Sequence, residues 1–197
     1  MRKSNYGLIE TIENIVFMIL TKIYIPNARL VRFPIIIRGK KYINFGRGLT
    51  TGRNCRIEVN GTHDCKVLCI GNNVNIGDNV SFRCAKNIEI GNNVLIGSRV
   101  LIIDHSHGAY DGNEQDNPDS TPNSRKLCAK RIVIGDNVWI GENVVIQKGV
   151  NIGKGSIVGA NSVITKDVIE NSIVGGIPGK VLKKYNKVIN KWEKYEI

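Results

Sequence analysis

The feature that most constrains this chain is an aliphatic residue, often followed by glycine, that returns every six residues. The clearest run covers residues 134–164, where Ile or Val opens every hexad. A period of six matches neither the 3.6 residues of a helical turn nor the two-residue alternation of a strand. It is typical of a parallel β-solenoid in which each hexad forms one short strand and one corner, so that three hexads close a triangular coil.

The same phase continues upstream and gives 15 hexads, which predict about five coils. We expect each opening side chain to point into the prism and to stack on its equivalent one coil away, about 4.8 Å along the axis. The Asn-Asn and Asp-Asn pairs between hexads suit left-handed turns. The opening residues are Phe45, Thr51, Ile57, Ile70, Ile76, Phe82, Ile90, Ile96, Ile102, Ile134, Ile140, Ile146, Ile152, Val158 and Ile164.

Breaks in the phase mark where the coil carries extra chain. One extra residue lies between Ile57 and Ile70, and two lie between Phe82 and Ile90. The largest break follows Ile102, where 32 residues precede the next opening residue although 12 would suffice.

The segment that makes this largest break, residues 104–130, is polar and contains Pro118 and Pro122. It lacks periodicity, so we interpret it as a loop. Insertions in solenoids lie on one face and often carry binding, and a long loop in a compact domain is usually functional. The segment is therefore the main candidate for a functional site.

The two open ends of a coil stack need covering. Residues 4–24 predict an amphipathic helix, which we interpret as a cap. The alternative is a helix in the plane of a membrane surface, because basic residues surround it. Glu10 and Glu13 and the short apolar run argue against a membrane-crossing segment. The aliphatic stripe of this helix consists of Leu8, Ile9, Ile12, Ile15, Val16 and Ile19.

The pattern predicts a second, basic helix at the C-terminus. We therefore expect an N-terminal helical cap over residues 1–30, the solenoid over residues 31–178 and the basic helix over residues 179–197.

The formal net charge of +11 calls for an anionic partner. The chain contains no recognition helix, zinc-finger spacing or RNA-binding motif, so we expect no nucleic acid partner. An anionic cofactor, glycan or lipid phosphate explains the charge. The spacing of His63, Cys65 and Cys69 matches no standard zinc pattern, so we expect no metal site.

Two of the three histidines, His105 and His107, lie in the stretch Asp104–Gly108, where the repeat opens into the insertion. Histidine is the usual general base near neutral pH. A surface or hydrogen-bonding role is the alternative for any single histidine. Their shared place at the start of the long insertion favours catalysis.

Four motifs resemble one family. They occupy residues 104–108, 134–141, 159–167 and 175–180. Over residues 31–185 the chain resembles the hexapeptide-repeat acyltransferases of the maltose/galactoside acetyltransferase group. Within that group it looks most like the bacterial O-acetyltransferases of lipopolysaccharide O-antigen and capsule synthesis.

The resemblance implies an all-β fold, a left-handed parallel β-helix with N-terminal and C-terminal helices and one long protruding loop. It also implies acetyl-CoA as co-substrate, a saccharide acceptor that is lipid-linked or nucleotide-activated, and a homotrimer with active sites between neighbouring chains. The expected location is the cytoplasm, at the inner face of the membrane.

Carried over by position, the resemblance makes His107 the catalytic base and His105 the second candidate. It assigns Asn79 and Asp104 to the acceptor. Asp104, Asp111, Glu114 or a backbone carbonyl would orient His107, and a backbone N–H near Gly141 would stabilise the oxyanion. The donor positions are Trp139, Gly141, Ala160, Thr165, Lys166 and Lys183.

Three other functions stay open from sequence alone. The first is acetyl transfer to a small sugar or a xenobiotic. The second is a carbonic anhydrase of the γ class, for which His63, His105 and His107 would have to bind zinc. The third is a non-catalytic solenoid that serves as a scaffold.

Overall fold

A computed structural model describes residues 6–61 and 65–195 of the chain. One α-helix (α1, Leu8–Tyr24) precedes short strands and two 3₁₀ turns (Lys40–Tyr42 and Pro122–Ser124). The strands are β1 (Leu30–Val31), β2 (Ile35–Arg38), β3 (Ile43–Phe45), β4 (Thr50–Thr51), β5 (Cys55–Val59), β6 (Leu68–Ile70), β7 (Asn75–Ile76), β8 (Ser81–Cys84), β9 (Ile88–Ile90), β10 (Leu95–Ile96), β11 (Leu101–Ile103), β12 (His105–His107), β13 (Leu127–Ala129), β14 (Ile132–Ile134), β15 (Trp139–Ile140), β16 (Val145–Ile146), β17 (Asn151–Ile152), β18 (Ile157–Val158), β19 (Val163–Ile164), β20 (Ser172–Gly175), β21 (Lys180–Asn186) and β22 (Lys191–Lys194).

Successive strands go to three faces in strict rotation. Face A contains β1, β4, β7, β10, β15, β18 and β20, face B contains β2, β5, β8, β11, β16 and β19, and face C contains β3, β6, β9, β14 and β17. Within each face, neighbouring strands are parallel and belong to consecutive coils. The chain is therefore a three-sided parallel coil, as the six-residue period predicts.

The opening residues of the hexads form the core. Fourteen of the 15 are buried, and Phe45 packs against them partly exposed. They stack in register: on face B, Ile57 lies beside Phe82, which lies beside Ile102 in the next coil. The predicted inward stacking is confirmed.

Asparagine makes most of the corners. Nine of the ten non-glycine residues with positive φ in the described part of the chain are asparagines, with φ between 53° and 59°. Asparagine tolerates this left-handed conformation better than other side chains do. The corners run along three edges, which we call AB, BC and CA after the faces they join.

The N-terminal helix attaches to the prism by its polar side. Its buried residues are Asn14 and Thr21, and Phe17 packs on Phe33 with ring centroids 5.7 Å apart. The aliphatic stripe, which the capping interpretation placed against the prism, faces outward: Leu8 and Ile9 are 79% and 76% exposed. The predicted helix is present, but its predicted packing side is wrong.

The C-terminal segment forms no helix among its described residues, which corrects the basic helix expected over residues 179–197. Strand β21 pairs antiparallel with β20, and β22 pairs with β21. The last strand of face A leaves unpaired backbone groups, and a following strand satisfies them. Tyr185 and Trp192 then pack edge to face across the hairpin, with ring centroids 5.3 Å apart.

The insertion leaves the prism at edge BC. Its first and last segments, β12 and β13, form an antiparallel ribbon, so the expected irregular loop has an ordered base. The Lys130 N–H donates to the Asp104 carbonyl at 2.8 Å and closes the insertion beneath the ribbon. The faces pass under it without a change of register, since β11 pairs with both β8 and β16.

Candidate active site

The strongest catalytic arrangement in the structure is a histidine held by a buried carboxylate. His105 opens the ribbon, and its Nδ1 lies 2.9 Å from Asp104 Oδ1. The side chain of Asp104 is fully buried, and that of His105 is 12% exposed. Because carboxylate oxygens accept hydrogen bonds, this contact selects the imidazole tautomer with its proton on Nδ1 and its lone pair on Nε2. The imidazole is thereby oriented to accept a proton at Nε2.

Asp104 is itself fixed by the preceding coil. Its Oδ1 accepts the N–H of Ala85 at 2.8 Å, and its Oδ2 accepts those of Lys86 and Asn87 at 2.7 and 2.9 Å. These three donors and the imidazole satisfy both carboxylate oxygens. Asp104 therefore positions His105, and the expectation that it binds the acceptor is wrong, because no part of its side chain is exposed.

His107, the first choice from sequence, lies two residues further along the ribbon. Side chains at i and i+2 of a strand point to the same side, so His107 and His105 share a face of the ribbon. His107 is exposed, and its backbone carbonyl accepts the hydroxyl of Tyr110. No hydrogen bond to its imidazole is found within residues 6–61 and 65–195. The Tyr110 contact therefore fixes the backbone of His107 but does not orient its ring.

Two residues that sequence analysis did not single out complete this edge. Lys148, at the same edge one coil later, donates to Ser106 Oγ at 2.5 Å. Arg125 donates to the Tyr110 hydroxyl at 2.8 Å and to the Ser120 carbonyl at 2.7 Å. Lys148 brings a positive charge next to the ribbon, and Arg125 holds the wall of the insertion together. Neither has a sequence signal, because each depends on contacts across the fold.

Cys84, whose Sγ lies 3.6 Å from Asp104 Oδ2, is the thiol nearest to this pair among those with a described contact to it. Burial, followed by the charge of Asp104, raises the pKa of the Cys84 thiol. Burial also raises the pKa of Cys55 to about 11. Both buried thiols are therefore protonated near neutral pH, which disfavours either of them as a nucleophile.

Four of the six expected donor residues, Trp139, Gly141, Ala160 and Lys183, fall along face A and its AB edge. The outward side chain of Trp139 is 50% exposed and lies in register with Ile157, which lies in register with Ile173 and then Lys183. Three strand spacings separate the indole from the lysine, about 14 Å. An apolar row that ends at a cation is thus built into this face.

The corner after Trp139 is very tight. A Cβ on Gly141 would lie 2.6 Å from the Ala160 nitrogen, so only glycine fits there. The Gly141 N–H already donates to the Val158 carbonyl at 2.8 Å. The amide of the neighbouring Ala160, an exposed residue, has no hydrogen bond in the described part of the chain, so the expectation of a backbone donor near Gly141 stays a prediction. The next residue, Glu142, accepts a hydrogen bond from Arg99 at 2.8 Å.

The expected site residues lie at two different edges of one chain. His105, Thr165 and Lys166 lie at edge BC, whereas Asn79 and Gly141 lie at edge AB. Asn79 is an exposed corner residue with φ of 58°. The full width of face B, about 15 Å, separates the two edges. One chain alone therefore does not bring His105 together with the donor residues Trp139, Gly141 and Ala160.

Within residues 6–61 and 65–195, no group of three His, Cys, Asp or Glu side chains is placed to hold a metal ion. His63, which the carbonic anhydrase alternative requires, lies outside the described residues.

Comparison with known proteins gives consistent results. A family model described as bacterial transferase hexapeptide (six repeats) matches residues 131–166. WbbJ of Escherichia coli K12, provisionally named as a lipopolysaccharide biosynthesis O-acetyl transferase, is 38% identical over 190 residues, which cover 96% of this chain and 95% of that protein.

Two solved structures share the fold over most of its length. A maltose O-acetyltransferase from Clostridium difficile 630 matches with a TM-score of 0.61 and 30% identity, over 75% of this chain and 73% of that one. A galactoside acetyltransferase in complex with coenzyme A matches with a TM-score of 0.53 and 27% identity, over 76% and 74% of the two chains.

Proposed function

Because the chain belongs to the hexapeptide-repeat family of bacterial acetyltransferases, we propose that it moves an acetyl group from acetyl-CoA to a sugar hydroxyl in surface polysaccharide biosynthesis. The near full-length similarity to WbbJ supports O-antigen or capsule as the setting. The reaction needs acetyl-CoA, so we place the protein in the cytoplasm. We also propose that the prism winds to the left, the hand that the family resemblance implies.

The observation that carries this proposal is the pair formed by Asp104 and His105. Nε2 of His105 removes the proton of the acceptor hydroxyl, and the oxygen attacks the carbonyl carbon of the thioester. The tetrahedral intermediate collapses with cleavage of the C–S bond, and the imidazolium returns the proton to the thiolate of coenzyme A. General base catalysis of this kind contributes about 10²–10⁴ in rate. We propose direct transfer rather than a covalent acetyl-enzyme, which the protonated thiol of Cys84 beside Asp104 supports.

The donor channel follows face A. The apolar row of Trp139, Ile157 and Ile173 suits the pantetheine arm, and Lys183 suits the phosphates of coenzyme A. The amide of Ala160, next to this row, is placed to donate to the thioester oxygen as negative charge develops. The galactoside acetyltransferase of similar fold is known in complex with coenzyme A.

The separation of the two edges supports an assembly in which each active site lies between chains. Edge BC of one copy supplies His105 and Lys166, and edge AB of the next supplies Trp139 and Ala160. Such a head-to-tail contact closes into a ring, and three copies match the trimer that the family resemblance implies.

The function is tested by incubating the purified protein with acetyl-CoA and the lipid-linked or polymeric glycans of its host. We expect release of the coenzyme A thiol together with acetylated glycan in the mass spectrum. Small sugars and a chloramphenicol-type xenobiotic serve as alternative acceptors. Acetylation of only these small acceptors contradicts the polysaccharide role, and the absence of acetyl-CoA binding in calorimetry favours the scaffold alternative.

The shared site predicts complementation between two inactive variants. We expect His105→Ala and Trp139→Ala each to lose acetyl transfer when expressed alone. Mixed trimers isolated through both tags should recover about a third of wild-type activity, because one of their three interfaces combines an intact His105 with an intact Trp139. The measurement is coenzyme A release from the co-expressed, doubly tagged complex. Light scattering that shows a monomer, or mixtures that stay inactive, contradicts the assembly.

A further inference from the structure

The outward face of α1 is the largest feature that acetyl transfer leaves unexplained. Eight aliphatic side chains occupy about 140° of the helix circumference, at 100° per residue. All of them are exposed, Ile23 by 77%. Contiguous exposed apolar patches of this kind mark interaction surfaces. The eight are Leu8, Ile9, Ile12, Ile15, Val16, Ile19, Leu20 and Ile23.

Specific contacts on the opposite side hold the helix in this orientation. Arg32 Nε donates to Asn14 Oδ1 at 3.0 Å, and the Val31 N–H donates to the Thr21 hydroxyl at 2.8 Å. Arg53 pairs with Glu13 at 2.5 Å. Rolling the helix to bury its aliphatic face would break all of these bonds and bury Glu13. These contacts therefore keep the aliphatic face on the outside of the protein.

The coil beneath the helix is strongly basic. Residues 22–58 contain nine Lys or Arg and one acidic residue, Glu58, which gives a formal charge of 9 − 1 = +8. Lys22, Arg29 and Lys41 are among the exposed members of this set. An apolar helix face next to basic residues is the composition that binds anionic lipid surfaces.

We propose that α1 lies in the plane of a membrane with anionic lipids, with its aliphatic face among the acyl chains and the first coil against the headgroups. Charge complementarity favours lipid over a second copy, because docking two copies through this face brings two strongly basic coils together. Within the described residues, no helix is long and apolar enough to cross a membrane. At 1.5 Å per residue, its 17 residues measure about 26 Å.

The test is flotation of the purified full chain with vesicles of phosphatidylglycerol and phosphatidylethanolamine, and with phosphatidylcholine vesicles for comparison. We expect binding to the anionic vesicles that weakens as salt is added. Replacing Ile12 and Ile19 together (Ile12→Glu, Ile19→Glu) should lower vesicle binding at least tenfold. Val188→Glu is the matched control, because Val188 is 89% exposed in the C-terminal hairpin and far from α1 in sequence. It should bind as the wild type does.

Circular dichroism and light scattering accompany each variant. Unchanged spectra and mass with lost vesicle binding support the proposal. The proposal is overturned if the wild type does not float with anionic vesicles, or if the double variant floats equally well. A double variant whose oligomeric mass changes shows that the face joins subunits, which also overturns it. None of these readouts depends on acetyl transfer, so they are independent of the proposed reaction.

Discussion

Replacing His105 with alanine lowers kcat for acetyl transfer by about 10²–10⁴, the usual contribution of a general base. The reason is geometric: His105 is the histidine whose Nδ1 is held by a buried carboxylate, 2.9 Å away. His107→Ala is the matched control, because it removes the same side chain from the same face of the same ribbon. That variant should keep most of the wild-type kcat, with any effect confined to KM for the acceptor.

The measurement is steady-state release of coenzyme A with acceptor and acetyl-CoA each varied. Since Asp104 keeps its three backbone donors without the imidazole, His105→Ala should fold normally. An inactive His107→Ala together with an active His105→Ala restores the assignment made from sequence.

Asp104→Asn damages both stability and activity. An amide has one oxygen where the carboxylate has two, and in either orientation its NH₂ group meets backbone N–H donors, that of Ala85 on one side or those of Lys86 and Asn87 on the other. Part-buried donors without acceptors cost about 3 kcal/mol in the free energy of unfolding. In a chain of this size that loss lowers Tm by about 6–12 °C.

The activity of Asp104→Asn should fall by about 10²–10⁴ even where the protein is fully folded, because the amide no longer fixes the tautomer of His105. Thermal unfolding and kcat at a temperature well below Tm separate the two effects. Asp111→Asn is the control: Asp111 is exposed in the same insertion, and its partner is Lys130 at 3.2 Å. We expect it to change Tm by less than about 2 °C. An Asp104→Asn variant with wild-type Tm and kcat would refute the positioning role.

The coil was predictable because its information is local. Each hexad contains its own inward side chain and its own corner, so within an uninterrupted run spacing alone identifies the three faces. Across two breaks it does not: Ile57 and Ile70, like Ile102 and Ile134, lie on the successive faces B and C, where six residues would suffice. Residues 18 positions apart in an uninterrupted run must stack, as Ile146 and Ile164 do. Counting hexads also assigns Trp139 and Lys166 to different edges. The separation of the expected site residues between two edges could therefore be predicted from their positions in the sequence.

The role of Asp104 was not predictable from its own motif. Its donors are Ala85, Lys86 and Asn87, which occupy the corner with two extra residues between Phe82 and Ile90. A phase break one coil before the insertion was the available signal. It indicates a wider turn, and a wider turn presents several N–H groups to the next coil.

The ends of the chain were the hardest to predict. Amphipathic spacing identified α1 but not which side it attaches by, since the bonds that attach it, from Val31 to Thr21 and from Arg32 to Asn14, form only in the folded chain. At the C-terminus, local composition favoured a helix, but the open backbone edge of β20 selected a strand. Tertiary context decides both cases.

The backbone hydrogen bond from Lys130 to Asp104 joins the two ends of the insertion, so residues 105–129 are attached to the coil at one place. Evolution can lengthen, shorten or replace this excursion while the ladder beneath keeps its pairing. Under the proposed function, face A with its donor residues and the insertion with its acceptor contacts can then diversify separately.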